Sequence, residues 1–240
     1  NLTSLFEHLG VPTKLSDMSF SVSKNDGSFE FGSTGMNALV GQRSNIINIK
    51  FWGMIADIFK FYRDAKLFLH NNFESTLTLG EFLIRYNYNE SFIKNFILPM
   101  GGAIWSSDPE EIRSQPAETF IHFFQSHGLL DVRHPIPWKT VDGGSREYIK
   151  RLTSQYLENV RFSCLVKKII RHLDGIEIID HRGKRTNHNA VVIATHADHA
   201  LSILADPSKA EQEILGSFRY TGNEAILHSD DKLMPKRKRV

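Results

Sequence analysis

The run Ala190–Ala200, Ala-Val-Val-Ile-Ala-Thr-His-Ala-Asp-His-Ala, puts three branched apolar residues directly before Ala194, Thr195 and His196. It reads as a buried parallel strand that stops at small and polar residues. Residues just past the C-terminal end of such a strand face the ligand crevice of an open α/β sheet. Ala194 would let a ligand approach the backbone there, and Thr195 and His196 carry donors for a phosphate or a ribose. The G-x-G-x-x-G loop that usually accompanies such a strand is missing from the sequence. His196, Asp198 and His199 have the side chains of metal ligands, but their spacing supplies no third ligand of an established pattern, and no metal is expected. Serine, histidine and aspartate are plentiful, yet no G-x-S-x-G elbow occurs, which argues against a hydrolase.

The elements that would hold this strand end lie just before it. Asp142-Gly143-Gly144 leads into an amphipathic helix with Tyr148, Ile149, Leu152 and Tyr156 on its inner face. A meander follows, turning at Asp174-Gly175 and Arg182-Gly183. Val166 leads into its first alternating run, where a strand backbone can pair with the edge of a ligand. Cys164 fits the same pattern as a small buried hydrophobe. After the apolar strand, His196–Leu204 reads as a helix, and Asn223–His228 as one more strand.

Residues 50–140 have a different character. Phe51, Ile55, Ile58, Phe59 and Tyr62 form one helical stripe, and Phe92, Ile93, Phe96 and Ile97 another that Pro99 should end. Thr78 and Glu81 have the spacing of a capping box, and Ser107 or Asp108 caps a helix that begins at Pro109. The segment Leu98–Ser107, Leu-Pro-Met-Gly-Gly-Ala-Ile-Trp-Ser-Ser, has two readings. Met100 and Trp105 could line a substrate pocket, or Gly101-Gly102 could let two helices come close. The start of the chain reads as a helix capped by Gly10, then a hairpin from Phe20 to Phe31 turning at Asn25-Asp26-Gly27.

A chain of 240 residues, 41% hydrophobic, can bury a sizeable core. A net charge of +2 implies no nucleic-acid partner. The single cysteine excludes an internal disulfide and fits a cytoplasmic setting. No apolar run approaches the ~20 residues of a membrane span. The basic ending Met-Pro-Lys-Arg-Lys-Arg-Val reads as an exposed turn, or as a patch for anionic lipid at the membrane periphery. A first residue that is not Met and an ending with no folded element behind it suggest an internal piece of a longer chain.

The segments Asp142–Leu152, Val166–Arg185 and Ala190–Leu204 resemble the flavin-containing amine oxidoreductase superfamily, which includes amine oxidases, protoporphyrinogen oxidase and phytoene desaturases. Together with Asn1–Ser23, Leu98–Ser107 and Phe123–Leu130, they are most similar to a bacterial group of predicted NAD/FAD-binding proteins. The resemblance implies an FAD-dependent oxidoreductase of mixed α/β and α+β class, with a split, glutathione-reductase-like FAD-binding domain interrupted by a helix-rich substrate domain. On that basis residues 1–16 and 141–215 belong to the FAD-binding domain, and 17–140 and 216–240 to the substrate domain. It also implies that the backbone at Val166 contacts the adenine of FAD and that Ala194, Thr195 and His196 lie near the dinucleotide. The family's N-terminal glycine-rich loop and its C-terminal Gly-Asp segment have no counterpart here. The expected chemistry is hydride transfer between flavin and a small-molecule substrate, either an amine or a lipid-like molecule. The rival readings are a non-redox lipid- or partner-binding module and an NAD-linked dehydrogenase.

Overall fold

The computed structural model describes residues 2–24, 27–70, 76–131, 136–220, 222 and 224–240. The chain divides into two compact units, Asn1–Glu147 with Asn223–Val240, and Tyr148–Gly222.

The first unit opens with helix α1 (Leu2–His8), which Gly10 ends at φ 63°. There the N–H of Val11 bonds to the carbonyl of Phe6 (2.8 Å), so the left-handed glycine closes the helix end as its position predicts. Strand β1 (Thr13–Leu15) pairs antiparallel with β4 (Lys139–Val141). This ladder brackets everything between residues 16 and 138. The predicted hairpin is present as β2 (Ser21–Lys24) and β3 (Phe29–Gly32), with Val22 opposite Phe31. Two of its turn residues, Asn25 and Asp26, lie outside the described residues. Val22 and Phe31 are buried, as period-two alternation requires.

A short helix α2 (Met36–Leu39) leads to α3 (Ile49–His70), the longest helix of the chain. Next come α4 (Leu79–Arg85), α5 (Glu90–Phe92), α6 (Leu98–Trp105), α7 (Pro109–Ser114) and α8 (Ala117–Ser126). The local signals hold at atomic detail. Thr78 Oγ1 accepts from the N–H of Glu81 (3.2 Å), and the Glu81 carboxylate accepts from the N–H of Thr78 (2.8 Å). Asp108 caps α7 by accepting from the N–H of Glu110 (2.8 Å). Pro99 does not end a helix. The chain passes from α5 through a π turn at Ile93–Ile97 into α6, and Pro99 falls in the first turn of α6. The helix runs on without a break, and the π turn just before Pro99 is the irregularity in the ladder that accommodates its missing N–H.

The helices pack on a core of phenylalanines. Phe31, Phe51, Phe61, Phe82, Phe92, Phe120 and Phe124 are all fully buried. Asp64 is buried beside them: it accepts from the Tyr88 hydroxyl (3.0 Å) and pairs with Arg63 (2.8 Å). Burial, then the Asp64 charge, pushes the Tyr88 phenol far above its usual range.

The C-terminal residues are not a free basic tail. Glu30, fully buried, accepts from the backbone N–H groups of Lys236 (2.7 Å) and Arg237 (3.2 Å), from the Arg237 guanidinium (2.7 Å) and from Ser23 Oγ (2.8 Å). Burial raises the pKa of Glu30, but these four donors overcome it and hold the carboxyl below the ordinary carboxylate value. Residues 224–228 form no strand. Ile226 and Leu227 are exposed, with no described strand to pair with.

The second unit contains most of α9 (Arg146–Thr153) and a three-stranded antiparallel meander. Its strands are β5 (Val166–His172), β6 (Gly175–Asp180) and β7 (Arg185–His188), in the order β5-β6-β7. Helices α10 (Ala197–Ile203) and α11 (Lys209–Gly216) complete it. A capping box between Ser208 and Glu211 starts α11, a signal already present in the spacing of these two residues.

Candidate functional site

The meander is built around Asp180. Its carboxylate accepts from the backbone N–H of Arg182 (2.8 Å) and Lys184 (2.9 Å), so one side chain fixes the β6–β7 turn. Gly183 supplies the left-handed residue at φ 81°. The Cys164 thiol donates to the other carboxylate oxygen (3.6 Å). Cys164 is therefore half-buried and hydrogen-bonded rather than a plain buried hydrophobe. Burial raises the pKa of Asp180. The N–H of Lys184, then that of Arg182, then the thiol more than offset this and hold the carboxyl below its ordinary value.

Beside Asp180 is an open depression of ≈ 430 Å³. Cys164, Val166, Asp180, Thr186 and His188 line it, with Arg161 and Lys184 adding positive charge. Val166 is half-buried at the start of β5, opposite Asp180, and a bulge follows between Val166 and Lys168. Because β5 is an edge strand, β6 leaves one side of its backbone unpaired. At Ile169 that side accepts from the N–H of Ala205 (2.9 Å), next to a parallel bridge between Ile169 and Leu204. Arg171 anchors the α10–α11 segment to β5 by pairing with Glu211 (2.8 Å) and Asp206 (3.3 Å). The guanidinium holds the Glu211 carboxyl down at about 2. Asp180 was not among the predicted site residues. An Asp followed three positions later by Gly is a turn signal that could have identified it.

The segment before His196 departs from expectation. Ala190–Ala194 is not a strand, and Val192 is 91% exposed. An apolar run becomes a buried strand only where neighbouring strands pair with its edges and helices cover the faces of the sheet. Among the described residues no strand pairs with this one. Ala194, Thr195 and His196 are exposed, and none of them lines the depression beside Val166. His196 caps α10, and its ring stacks on Tyr220 (4.5 Å, 2°) while the Tyr220 hydroxyl accepts from the N–H of Ala197 (2.9 Å). The ring of His199 lies 5.6 Å from that of His196. The ligand atoms of His196, Asp198 and His199 come within 4.8 Å of one another, all exposed, and no described residue adds a fourth.

In the helical unit, Met100 and Trp105 are half-buried on α6. The Trp105 ring packs against Phe120 (5.2 Å) and Phe123 (4.7 Å) of α8. Gly101 is buried, and a Cβ there would meet Ile112 at 2.7 Å and Phe120 at 3.1 Å. Close helix packing therefore accounts for this glycine. Gly101→Ala is expected to destabilise the unit by about 1–2 kcal/mol, since overpacking outweighs the gain in helix propensity. Denaturant midpoints of the two proteins check this.

An antiparallel meander with helices beside it, in a chain that also carries a Phe-rich helical unit, makes this a mixed α/β fold. The model of the flavin containing amine oxidoreductase family matches residues 1–237, and the chain belongs to that family. Wild-type putrescine oxidase bound to putrescine has a TM-score of 0.60 and 15% identity to this chain, covering 90% of it and 49% of the other. A triple-substitution variant from a redesign of cofactor binding in putrescine oxidase gives 0.62 and 16%, with the same coverage. These likenesses concern the fold, and the chain spans about half the length of the structures it matches. No curated protein matches its sequence.

Proposed function

We propose that the protein containing this chain is an FAD-dependent oxidoreductase of the amine-oxidase type, acting on a small-molecule amine or an apolar substrate. The match of the family model to residues 1–237 carries this reading. The solved structures named as putrescine oxidase, one of them with putrescine bound, support an amine substrate in particular. In this reading residues 1–16 and 141–215 belong to a split, glutathione-reductase-like FAD-binding domain, and 17–140 and 216–240 to the substrate domain. The β1–β4 ladder lies where the chain would pass between the two. The lone Cys164 supports a cytoplasmic location.

Bound flavin would supply the redox step, accepting a hydride equivalent from a substrate C–H bond while the neighbouring nitrogen or carbon loses a proton and the C–N or C–C bond becomes double. The residues of this chain bind and orient. The edge of β5 at Val166 offers backbone groups to the hydrogen-bonding rim of an adenine, and the cations Arg161 and Lys184 line the depression next to it. Ala194 allows close approach along the dinucleotide, while the Thr195 hydroxyl and the His196 ring serve as donors. No glycine-rich loop in this chain suits the pyrophosphate, so that group needs residues from elsewhere in the protein. The half-exposed sides of Met100 and Trp105 contribute to the substrate wall.

The full-length protein is expected to purify yellow, and putrescine added without oxygen should bleach the flavin band. A colourless protein that stays so with added FAD would overturn the flavoenzyme reading. A yellow protein that amines leave unbleached but an apolar substrate bleaches would overturn the amine preference alone.

A further inference from the structure

Helix α3 buries one face and leaves the opposite one uncovered. Phe51, Met54, Ile58, Phe61, Ala65 and Phe68 point into the core. On the other side Ile49 is 88% exposed, Phe59 58%, Leu67 53% and Trp52 42%. At 100° per residue these four, with Arg63 and Lys66, fall within an arc of about 100°. The preceding turn extends the apolar surface, with Ile47 86% and Ile46 46% exposed. The Trp52 indole N–H donates to the Ile46 carbonyl (2.8 Å), which ties the turn to the helix.

The charge on this face has one sign. The two carboxylates of α3 are both engaged elsewhere. Asp57 accepts from the backbone (2.7 Å) and side chain (2.6 Å) of Asn89, and Asp64 is buried against Tyr88. Lys66 is exposed and forms no ion pair with a described residue. The Arg63 side chain pairs with Asp64 yet remains 68% exposed. An exposed apolar stripe with a Trp beside it and cations but no acid is the pattern of a helix lying in a membrane interface. Apolar side chains enter the acyl boundary, Trp sits at headgroup level, and cations meet lipid phosphates. A second copy of the same face is a poorer partner. It would bring Lys66 of both copies onto a desolvated patch with no described carboxylate to offset it, whereas Arg63 at least keeps its pair with Asp64. No helix among the described residues is long and apolar enough to cross a membrane, so contact through α3 is peripheral.

We propose that the exposed face of α3, from Ile46 to Leu67, docks the protein on an anionic lipid surface. This places lipid contact on α3 rather than on the basic C-terminal residues, which Glu30 holds in place. The proposal does not depend on the flavin reading.

The test is sedimentation of the full-length protein with vesicles of phosphatidylcholine, with and without phosphatidylglycerol. Binding is expected only to the anionic vesicles, weakening as salt rises. Lys66→Glu should weaken it on the order of tenfold, since each charge near the surface contributes about 1 kcal/mol. Phe59→Ser should weaken it as well, while flavin content and oligomeric state stay unchanged. Trp52 emission should shift to the blue on binding, and Trp52→Phe should abolish the shift. Failure of the parent protein to bind anionic vesicles overturns the proposal. So does loss of flavin or a change of oligomeric state in Phe59→Ser, because the face would then be covered by protein.

Discussion

Phe61→Ala will destabilise the helical unit by about 3–5 kcal/mol. Phe61 is fully buried, and four rings surround it: Phe92 at 5.8 Å, Phe124 at 6.0 Å, Tyr88 at 6.1 Å and Phe82 at 6.2 Å. These partners belong to α4, α5, α8 and the turn between α4 and α5, so the side chain joins four segments of the chain. Removing it costs the transfer of a large apolar surface and leaves a cavity that four packed aromatics close only in part. Typical domain stability is about 5–15 kcal/mol, so the variant should be near the limit of folding. Trp fluorescence suits the measurement, because all three tryptophans, Trp52, Trp105 and Trp138, lie in this unit. The denaturant midpoint should fall sharply for Phe61→Ala. For Phe61→Leu, which fills more of the space, the loss should be smaller. Equal midpoints for Phe61→Ala and the parent would contradict the packing described.

The second large effect is expected at the C-terminal end. Arg237→Ala removes the cation paired with the buried Glu30 carboxylate. Breaking a buried pair by deleting one partner typically costs about 3–5 kcal/mol. Here about 2–3 kcal/mol is expected, because the Arg237 side chain keeps 35% of its surface in water and Glu30 retains three other donors. The pH dependence has a definite sign. The folded-state pKa of Glu30 is lowered, so its contribution is complete above the carboxyl's unfolded value and fades as pH falls through the folded value. Without Arg237 the folded value rises toward the unfolded one, so the window over which stability is lost narrows from its acidic side and the total loss shrinks. Unfolding curves at neutral and acidic pH measure both. The parent should lose stability on acidification across this window, and Arg237→Ala should lose less because it has less to lose.

Much of the local structure can be read from the sequence because its causes are local. The Thr78–Glu81 box, the Asp108 cap with Pro109, the left-handed glycines at 10 and 183, and the alternation in the hairpin each depend on a few neighbouring residues. The resemblance that led to the family is equally legible, since it rests on short runs such as Asp142–Leu152 and Ala190–Leu204. Three features were not legible in this way. Ala190–Ala194 has a strand's composition but no strand beside it, and a strand takes its hydrogen bonds from a partner, not from its own residues. The helix around Pro99 continues because a π turn precedes it, a geometry that no residue type announces. The basic end is held by Glu30, some 200 positions earlier in the chain, and only folding brings the two together.

The candidate site divides in the same way. By itself the sequence determined the family, the meander that carries Val166 and the small-to-polar step at Ala194–His196. Tertiary structure decided that Val166 lies beside an Asp180-centred depression and that His196 stacks on Tyr220. It also decided that Gly101 serves close helix packing. The physical reason is that hydrogen-bond periodicity and turn chemistry act over a few residues, whereas burial and ring contacts join side chains that lie far apart in the chain.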